Sequence, residues 1–505
     1  MEDKQMKTRF TKIMLLGTAA SLMLSASGCK DWLDVPVEAK EPVESIDYTD
    51  ATRAQSILIG TYGQFVGWNV AGSWCQLAVM AVRGDDVEKG NPSPSDQAIL
   101  TSLHNFDYSE APLFWALSNS WSGMYTAISQ MNEAISAFGD YKENGADEAT
   151  MNNYIAQVRV LRSYCYFRLA RLFGAVPVFT NLEEQKASPR RSTFEHVMQF
   201  IIKEMDEAAE NLRNVKPNAA DIPGSVTRHT ALAVKAKAAA EILDYDNVLS
   251  ATEEIISAYG EGALTADFSK VFNNEGNLSD ENLLEAQYSS ATNPQTFDDN
   301  YFAFQGPAHS IQSKVQFGGN NLGGGWGFLP PTEKLKAFME ARGEEIRYKV
   351  SILKVGEETY AGDLLVADAA KPYPSMYSGK AYNPSSLTAD NANWWGSNNS
   401  IKLIRYSDIL LLNAEAKVKK GQNGDKTFNW VRKRAGMPEM TGVTFENIMD
   451  ERFAELCLEN GERFYDLART GLATSELKGY SEAKRFYPIP QIALDADKAL
   501  QEDPE

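Results

Sequence analysis

Amphipathic helical segments joined by short breaks are the feature that most constrains the fold. The clearest segment has apolar residues at three- and four-residue steps and ends at Gly174, with Pro177 just beyond. Its apolar face comprises Tyr154, Val158, Leu161, Cys165, Leu169 and Leu172. Further helical segments are predicted at 193–212, 227–243 and 246–259. These pairs predict a mainly α scaffold of tetratricopeptide-like units, without the regular period of about 34 residues, and such scaffolds usually serve binding or docking.

The same periodicity assigns side chains to the core or to the surface. Trp121 is in phase with Tyr125 and Ile128, so we expect it in the core. Cys165 lies on an apolar face and is predicted to be a small core residue. Four arginines occupy the other faces of the same helix: Arg159, Arg162, Arg168 and Arg171. They are interpreted as a solvated face with some pairs to neighbouring carboxylates.

Residues 273–400 lose the helical periodicity and are rich in Asn, Gly, Ser and aromatic residues. One short helix is predicted within them, at 332–341. A loop-rich stretch of this length inside a domain is usually functional. Trp326 lies among the glycines of 323–327, where neighbouring side chains offer little burial. The same glycines lack the lysine, the preceding strand and the following helix start of a phosphate loop.

A second cluster of aromatic residues follows the first predicted helix, at 52–68. Gly67-Trp68-Asn69, Gly72-Ser73-Trp74 and Arg83-Gly84-Asp85-Asp86 lie close together in the sequence. An indole face packs against the C–H face of a pyranose, while carboxylates and amides bond its hydroxyls. The cluster is therefore typical of a sugar-binding surface. The alternative for each tryptophan is burial between helices.

The helical pattern resumes at 401–420 and continues through 427–435 and 445–460, with Gly461 as the predicted cap. Three carboxylates would fall one turn apart on the last of these helices: Glu451, Glu455 and Glu459. Arg463 and Arg469 follow and can reach back to such carboxylates. A glycosidase needs two carboxylates facing each other across the substrate, about 5–10 Å apart on separate elements. Three on one stripe instead predict a structural ion-pair network.

The N-terminus has the pattern of an export signal. Basic residues precede a short apolar core that ends in small residues, and roughly 20 apolar residues would be needed to span a bilayer. Ala26-Ser27-Gly28-Cys29 is similar to the bacterial lipobox. We predict a signal peptide over 1–28, lipidation of Cys29, and a polar tether over 29–50. An ordinary signal peptide with a chance cysteine is the alternative.

Composition excludes several classes of function. The formal net charge is −19, and removal of the signal segment, which carries four basic and two acidic side chains, leaves about −21. Nucleic acids and anionic lipid surfaces both require basic patches, so neither is a predicted partner. Beyond Cys29, three separated cysteines and four isolated histidines give no metal-ligand spacing. No cofactor and no metal site are predicted.

Several motifs together resemble the SusD/RagB family of outer-membrane nutrient-binding lipoproteins. The matching segments are RVLRSYCYFRLARLFGAVPVF at 159–179, IRYSDILLLNAEA at 404–416, ERFAELCLENGERFYDLAR at 451–469 and FYPIP at 486–490. The mature N-terminus CKDWLD at 29–34 is similar as well. The motifs run in the family's order from Cys29 to Pro490. Gln491 departs from the glutamate that often follows this proline.

The resemblance implies a SusD-like helical body with a long loop-rich, ligand-facing insertion. The expected regions are an N-terminal helical part with ligand-facing loops at 51–272, the loop-rich part at 273–400 and a C-terminal helical part at 401–505. It implies a lipid-anchored, surface-exposed protein of the outer membrane that sits on a TonB-dependent barrel of the SusC type. The candidate ligand-binding residues are Trp68, Trp74, Asp86, Trp326 and Trp395.

Three functions remain open at the level of the sequence. The leading hypothesis is non-catalytic binding of an oligosaccharide or polysaccharide and its delivery to the barrel. The second hypothesis is a protein of the same family that binds peptides, as in the RagB branch, and not glycans. A surface glycan hydrolase is the third, but no nucleophile elbow, metal spacing or partnered histidine supports it. Nine tryptophans, several of them beside glycines, favour the glycan.

Overall fold

The computed structural model describes residues 47–67, 69–91, 93–289, 300–307, 325–365, 374–387 and 398–505, together with the backbone of 311–312. Three predicted functional residues lie outside these ranges: Cys29, Trp68 and Trp395. The predicted signal segment 1–28 and most of the predicted tether 29–50 also lie outside them.

Helices dominate the described residues from Ala51 onwards, as expected from the sequence. The first nine are α1 (Ala51–Val66), α2 (Trp74–Ala81), α3 (Ile99–His104), α4 (Trp115–Glu143), α5 (Glu148–Phe173), α6 (Leu182–Lys186), α7 (Phe194–Ala209), α8 (Arg228–Glu241) and α9 (Tyr245–Tyr259). The rest are α10 (Tyr301–Gln305), α11 (Glu333–Arg342), α12 (Glu345–Ser351), α13 (Tyr406–Lys419), α14 (Asp425–Arg434), α15 (Phe445–Leu456), α16 (Glu462–Arg469), α17 (Ala473–Glu476) and α18 (Gln491–Ala496). None of the described helices is long and apolar enough to cross a membrane.

Short antiparallel strand pairs complete the secondary structure. The strands are β1 (Val176–Pro177), β2 (Arg191–Ser192), β3 (Asn282–Ala286), β4 (Ile311–Gln312), β5 (Ile352–Lys354), β6 (Leu364–Leu365), β7 (Met376–Ser378) and β8 (Ile401–Arg405). They pair as β1–β2, β3–β8, β4–β6 and β5–β7. In the longest pair Asn282 faces Arg405 and Ala286 faces Ile401, with two register shifts between them.

The helices stack on one another in an order that explains the loop-rich insertion. Neighbours pack as α4–α5, α5–α7, α7–α8 and α8–α9, and α9 then packs against α13. Helix α8 is buried throughout, and its alanine-rich sequence allows close approach on several sides. Because α13 continues the stack directly after α9, residues 260–405 are an insertion into a helical-repeat scaffold. The predicted fold class is confirmed.

Several local predictions are confirmed, including the core positions of Trp121 and Cys165. The arginine prediction is wrong in part. Arg162, Arg168 and Arg171 are buried, because α4, α7, α8 and α1 cover α5 and leave those side chains no solvated face. The predicted pairing is present: Arg162 Nη2 lies 2.7 Å from Glu204 Oε2, and Arg171 Nε lies 2.8 Å from Glu241 Oε1.

Two helix boundaries in the C-terminal region also differ from the prediction. Residues 401–405 form strand β8, because β3 supplies a partner that a local pattern of apolar residues does not reveal. Helix α15 ends at Leu456 and not at 460, since Leu458, Asn460 and Gly461 all adopt positive φ values. Only glycine fits at position 461, because a Cβ there would lie 2.6 Å from the carbonyl oxygen of Met80.

The carboxylates of this region form the predicted structural ion-pair network. Glu451 and Glu455 are completely buried. Arg347 Nη1 lies 2.8 Å from Glu451 Oε1, and Arg405 Nη1 lies 3.0 Å from Glu455 Oε1. Glu459 lies beyond the helix end but joins the network through Arg405, whose Nε is 2.8 Å from Glu459 Oε2.

The partners predicted for the two following arginines were wrong. Arg463 pairs with Asp85 at 2.7 Å, and Arg469 Nη2 lies 2.8 Å from Asp466 Oδ1. Both arginines lie on α16, for which the sequence predicted no helix and which begins directly after the positive-φ turn at 458–461.

Candidate functional site

Five aromatic side chains from three distant parts of the chain meet at one place, which we call the aromatic cluster: Trp74, Trp115, Phe304, Trp326 and Phe328. The Trp74 ring lies at its centre, 5.3 Å from Trp115 and 5.6 Å from Trp326 between ring centroids. Phe304 packs on Trp74 at 4.7 Å and stacks on Phe328 at 4.5 Å. The cluster is therefore a continuous aromatic unit and not a set of separate side chains.

Part of the aromatic cluster faces solvent. Trp115 is 41% exposed and the preceding Leu113 is 77% exposed, whereas Phe304 and Phe328 are buried beneath the tryptophans. Trp74 and Trp326 are half-buried. Adjoining exposed apolar side chains occur at binding surfaces, so the aromatic cluster is a candidate site.

Two helix starts position Trp74 and Trp115. Trp74 is the first residue of α2, whose start is capped by the Ser73 hydroxyl as it accepts a hydrogen bond from the Cys75 backbone N–H at 3.2 Å. Trp115 is the first residue of α4. Helices α2 and α4 pack against each other, so their N-terminal residues are held on a rigid base.

Trp326 reaches the cluster because two loops pair along their length. Residues 86–91 and 327–332 run antiparallel, with Glu88 N–H donating to the Pro330 carbonyl at 3.0 Å and Leu329 N–H to the Lys89 carbonyl at 3.1 Å. Asn91 N–H donates to the Gly327 carbonyl at 2.7 Å. We call these two segments the loop ladder. It joins the N-terminal loop region to the mid-chain insertion, which are the two regions that the family resemblance implied.

The glycines of this region permit a close backbone approach. A Cβ on Gly325 would lie 2.4 Å from the carbonyl oxygen of Gly306, so only glycine fits between the two backbones. The Trp326 N–H donates to the Ala303 carbonyl at 2.7 Å, and the Phe328 N–H to the Phe304 carbonyl at 2.9 Å. Trp326 and the end of α10 are thereby fixed to each other.

Asp86 does not lie on this surface. It is 2% exposed, and its Oδ2 accepts a hydrogen bond from the Leu458 N–H at 2.7 Å. Burial raises the pKa of Asp86 to about 6, and the neighbouring charge of Asp85 adds to the rise. The structure therefore places this predicted hydroxyl-binding carboxylate in the interior, where it ties the loop ladder to the turn at 458–461.

The Asp85 carboxylate also forms ion pairs with other side chains of the protein. Its carboxylate lies 2.7 Å from Arg463 Nε and 2.6 Å from Lys334 Nζ. Burial acts to raise the pKa of Asp85, but the hydrogen bonds and charges of Arg463 and Lys334 outweigh it and leave the pKa below its ordinary value. Asp85 therefore stays ionised and anchors the start of the loop ladder.

The sequence interpretation named Trp74 and Trp326 as separate candidates, which the structure places in contact, and it did not name Trp115. A signal for Trp115 was present. The buried residues of α4 include Ala116, Leu117 and Trp121, and Trp115 is out of phase with that apolar face. A tryptophan on the solvent side of an amphipathic helix is a candidate for a contact surface.

A polar cleft of about 330 Å³ lies at the other end of the loop ladder. Its lining includes Asp85, Glu88, His104, Lys334 and Glu476. Lys334 Nζ lies 2.6 Å from Asp85 Oδ2 and 2.9 Å from Glu476 Oε2, so the lysine and two carboxylates of the cleft are already bonded to one another. The aromatic cluster is therefore the stronger candidate for ligand binding. Among the described residues no group of three or more metal-ligating side chains comes together.

Comparison with known proteins identifies the family. The sequence profile of the SusD family matches residues 280–487, and a second profile, described as starch-binding associating with outer membrane, matches residues 88–240. The chain belongs to the SusD/RagB family. A SusD-like protein of Bacteroides ovatus is 23% identical over 412 residues, which cover 76% of this chain and 71% of that protein.

Solved structures of SusD-like proteins share the fold. Surface glycan-binding protein A from Bacteroides fluxus superposes with a TM-score of 0.73 at 24% identity, covering 88% of this chain and 97% of that one. Surface glycan-binding protein A from Bacteroides thetaiotaomicron, in complex with laminarihexaose, gives a TM-score of 0.70 at 21% identity, with coverage of 89% and 98%. Most of the loop ladder lies within the two profile matches: residues 88–91 fall in one and residues 327–332 in the other.

Proposed function

We propose that this SusD-like protein binds an oligosaccharide or polysaccharide without cleaving it, at the aromatic cluster, and delivers it to a SusC-type TonB-dependent barrel. The observation that carries the proposal is the exposed Trp115 ring packed 5.3 Å from Trp74, which in turn contacts Trp326. Indole faces are the surfaces on which sugar rings pack. The structural neighbour bound to laminarihexaose adds support for a glycan as the cargo.

The expected affinity is modest. Each aromatic contact adds roughly 0.5–1.5 kcal/mol beyond the area that it buries. With two or three indole platforms and the cost of ordering a flexible glycan, dissociation constants should lie between about 10 µM and 1 mM. Weak binding suits a protein that must release its cargo to a transporter.

The proposal is tested by truncating the exposed indoles. Laminarihexaose is the first probe in a panel of glycans, and binding is measured by isothermal titration calorimetry and affinity electrophoresis. Trp115→Ala and Trp326→Ala should each weaken binding of the retained glycan by about 5- to 30-fold, corresponding to roughly 1–2 kcal/mol.

Trp430→Ala is the matched control, because Trp430 is a half-buried tryptophan on α14, outside the aromatic cluster. It should leave glycan affinity unchanged. If Trp115→Ala and Trp326→Ala both bind every retained glycan as tightly as the unaltered protein, the aromatic cluster is not the binding surface and the proposal fails.

The other two hypotheses have distinct outcomes in the same assays. A peptide-binding protein would bind no glycan in the panel, while a peptide digest would raise its melting temperature. A hydrolase would release shorter products from the panel. Glu451 and Glu455 do not favour the hydrolase, because both are completely buried against arginines.

The cellular setting rests on the sequence. The signal pattern, the lipobox-like Ala26-Ser27-Gly28-Cys29 and the following tether support export and lipidation at Cys29. The second family description names association with the outer membrane. We infer a lipid-anchored protein at the cell surface, seated on its barrel partner.

A further inference from the structure

The loop ladder ends at Asn91, and this residue contacts Trp326 directly. Asn91 Nδ2 donates a hydrogen bond to the Trp326 carbonyl at 3.0 Å. Its backbone N–H donates to the Gly327 carbonyl, so Asn91 binds the carbonyl groups of two consecutive residues, Trp326 and Gly327. One asparagine thereby connects the N-terminal loop to the tryptophan of the insertion.

The conformation of Asn91 suits this role. Its φ is +61°, in the left-handed region that asparagine tolerates better than most residues. Its Oδ1 accepts a hydrogen bond from the Ser93 N–H at 2.7 Å, which closes an Asx turn and fixes the orientation of the side-chain amide. The bond to Ser93 therefore orients the amide for its hydrogen bond to the Trp326 carbonyl.

The glycines on either side of Trp326 leave its orientation to contacts with distant residues, and the Asn91 amide adds to the hydrogen bond that the Trp326 N–H donates to the Ala303 carbonyl. Gly325 and Gly327 flank Trp326, and Gly327 has a φ of +72°. Glycines allow more backbone conformations than other residues, so a tryptophan between two of them would sample many orientations without external contacts. A binding side chain that is already ordered loses less conformational entropy when its ligand binds.

We propose that Asn91 is a positioning residue for ligand binding: its side-chain amide holds the Trp326 backbone so that the indole stays in the aromatic cluster. The inference rests on the proposed function, and it makes the N-terminal loop a determinant of binding by the mid-chain loop. Asn91 itself does not have to touch the ligand.

The test is a double-mutant cycle between Asn91 and Trp326 with laminarihexaose as the probe. Asn91→Gly keeps the positive φ accessible and removes the amide, and it should weaken binding by about 3- to 10-fold. Asn91→Asp keeps the acceptor for Ser93 and removes the amide donor, which bonds both the Trp326 carbonyl and the Asp96 carboxylate, so it should also weaken binding. In the Trp326→Ala background, Asn91→Gly should cause no further loss, because its effect passes through the indole.

Hydrogen exchange of the ligand-free protein gives a readout that is independent of the glycan. Asn91→Gly should speed exchange of the amides of 326–329 by about 10-fold. The matched control is Asn105→Ala, which removes an exposed asparagine amide bonded only locally to the Thr101 carbonyl in the described structure. It should change neither exchange at 326–329 nor affinity.

The outcomes separate the two proposals. Unchanged exchange in Asn91→Gly, or a full additional loss of affinity in the double variant, would overturn the positioning role even if the glycan site is correct. If Trp326→Ala and Trp115→Ala retain full affinity, the proposed function fails. The exchange measurement would then still decide whether Asn91 holds Trp326.

Discussion

Asp86 is a buried carboxyl group next to the loop ladder, and its protonation should have a measurable effect on the stability of the protein. Asp86 accepts one hydrogen bond from Leu458, and its second oxygen, Oδ1, has no hydrogen-bond partner among the residues that the structure describes. Asp85 adds a like charge beside it, while Arg463 only partly compensates. Because the charged form is disfavoured by burial, the pKa of Asp86 is raised to about 6 from an ordinary value of 3.8.

Asp86→Asn should therefore change how stability depends on pH. The folded protein binds the Asp86 proton more tightly than the unfolded chain does, so the contribution of Asp86 to the unfolding free energy falls as pH rises from about 4 to about 6. The loss amounts to about 3 kcal/mol above pH 6. At about 2.1 cal/mol/K of unfolding entropy per residue, a body of this size shifts its melting temperature by about 1 °C per kcal/mol.

The measurement is the difference in melting temperature between Asp86→Asn and the unaltered protein at pH 4 and at pH 7.5. The melting temperature of Asp86→Asn relative to that of the unaltered protein should be about 2–3 °C higher at pH 7.5 than at pH 4. Asp221→Asn, at an exposed ion pair with Arg213, is the control and should show no such movement. A constant difference across pH would show that Asp86 titrates normally.

At the scale of elements, a buried ion-pair network joins α12, α14, α15 and β8. Glu455 on α15 pairs with Arg347, Arg405 and Arg434 from the other three elements. Burial alone would raise the pKa of Glu455, but these three guanidinium groups outweigh it and hold the pKa well below its ordinary value. The carboxylate therefore remains charged at acidic pH values where a free glutamate would be protonated.

Removing that charge should destabilise the C-terminal helices. Glu455→Gln leaves three buried guanidinium groups with one fewer counter-charge, which costs about 3–5 kcal/mol. At pH 7 the melting temperature should fall by about 3–5 °C, measured by circular dichroism. The stabilisation by a carboxylate with a lowered pKa is present above the unfolded pKa and is lost as pH falls, so the difference between the two proteins should shrink in acid.

Glu333→Gln is the control for this prediction, because Glu333 forms an exposed pair with Lys336. Exposed pairs contribute about 0–1 kcal/mol, so the melting temperature should change by less than about 1 °C. Equal melting temperatures for Glu455→Gln and Glu333→Gln would contradict the structural role of the network.

Sequence patterns predicted the helices that are set by local periodicity, and they missed the elements whose conformation depends on distant partners. Helix α5 was predictable because its apolar residues repeat at helical steps up to Gly174. Strand β8 was not, because its apolar run forms a strand only when β3 pairs with it. The C-terminal end of α15 was also missed, because non-glycine residues such as Leu458 rarely adopt a positive φ and no sequence pattern indicates it.

The same distinction applies to the candidate site. Trp74 and Trp326 became candidates because tryptophans beside glycines suggest exposed indoles, but their contact depends on the loop ladder, which joins residues far apart in sequence. Asp86 was misplaced because a carboxylate near a loop is usually exposed, and its partner Leu458 is remote in the chain. Trp68 and Trp395 lie outside the described residues and stay predictions.

At the scale of the whole molecule, the net charge separates the two possible cargoes. The chain carries a formal charge of −19, which attracts cationic peptides over long distances and leaves neutral glycans unaffected. The Debye length falls from about 10 Å at 0.1 M salt to about 3 Å at 1 M, so charge-driven binding weakens steeply with salt while packing on aromatic rings does not.

Affinity should therefore be measured by calorimetry at 50 and 500 mM NaCl for laminarihexaose and for an oligolysine peptide. We expect the dissociation constant for laminarihexaose to change by less than about twofold, because its contacts are uncharged. Oligolysine should lose at least about tenfold in affinity, and Trp115→Ala should leave its binding unchanged, since its attraction is to the surface charge as a whole. If oligolysine bound more tightly than laminarihexaose, and its salt-sensitive binding also required Trp115, the aromatic cluster would recognise charged peptide chains. The peptide-binding alternative would then replace the glycan.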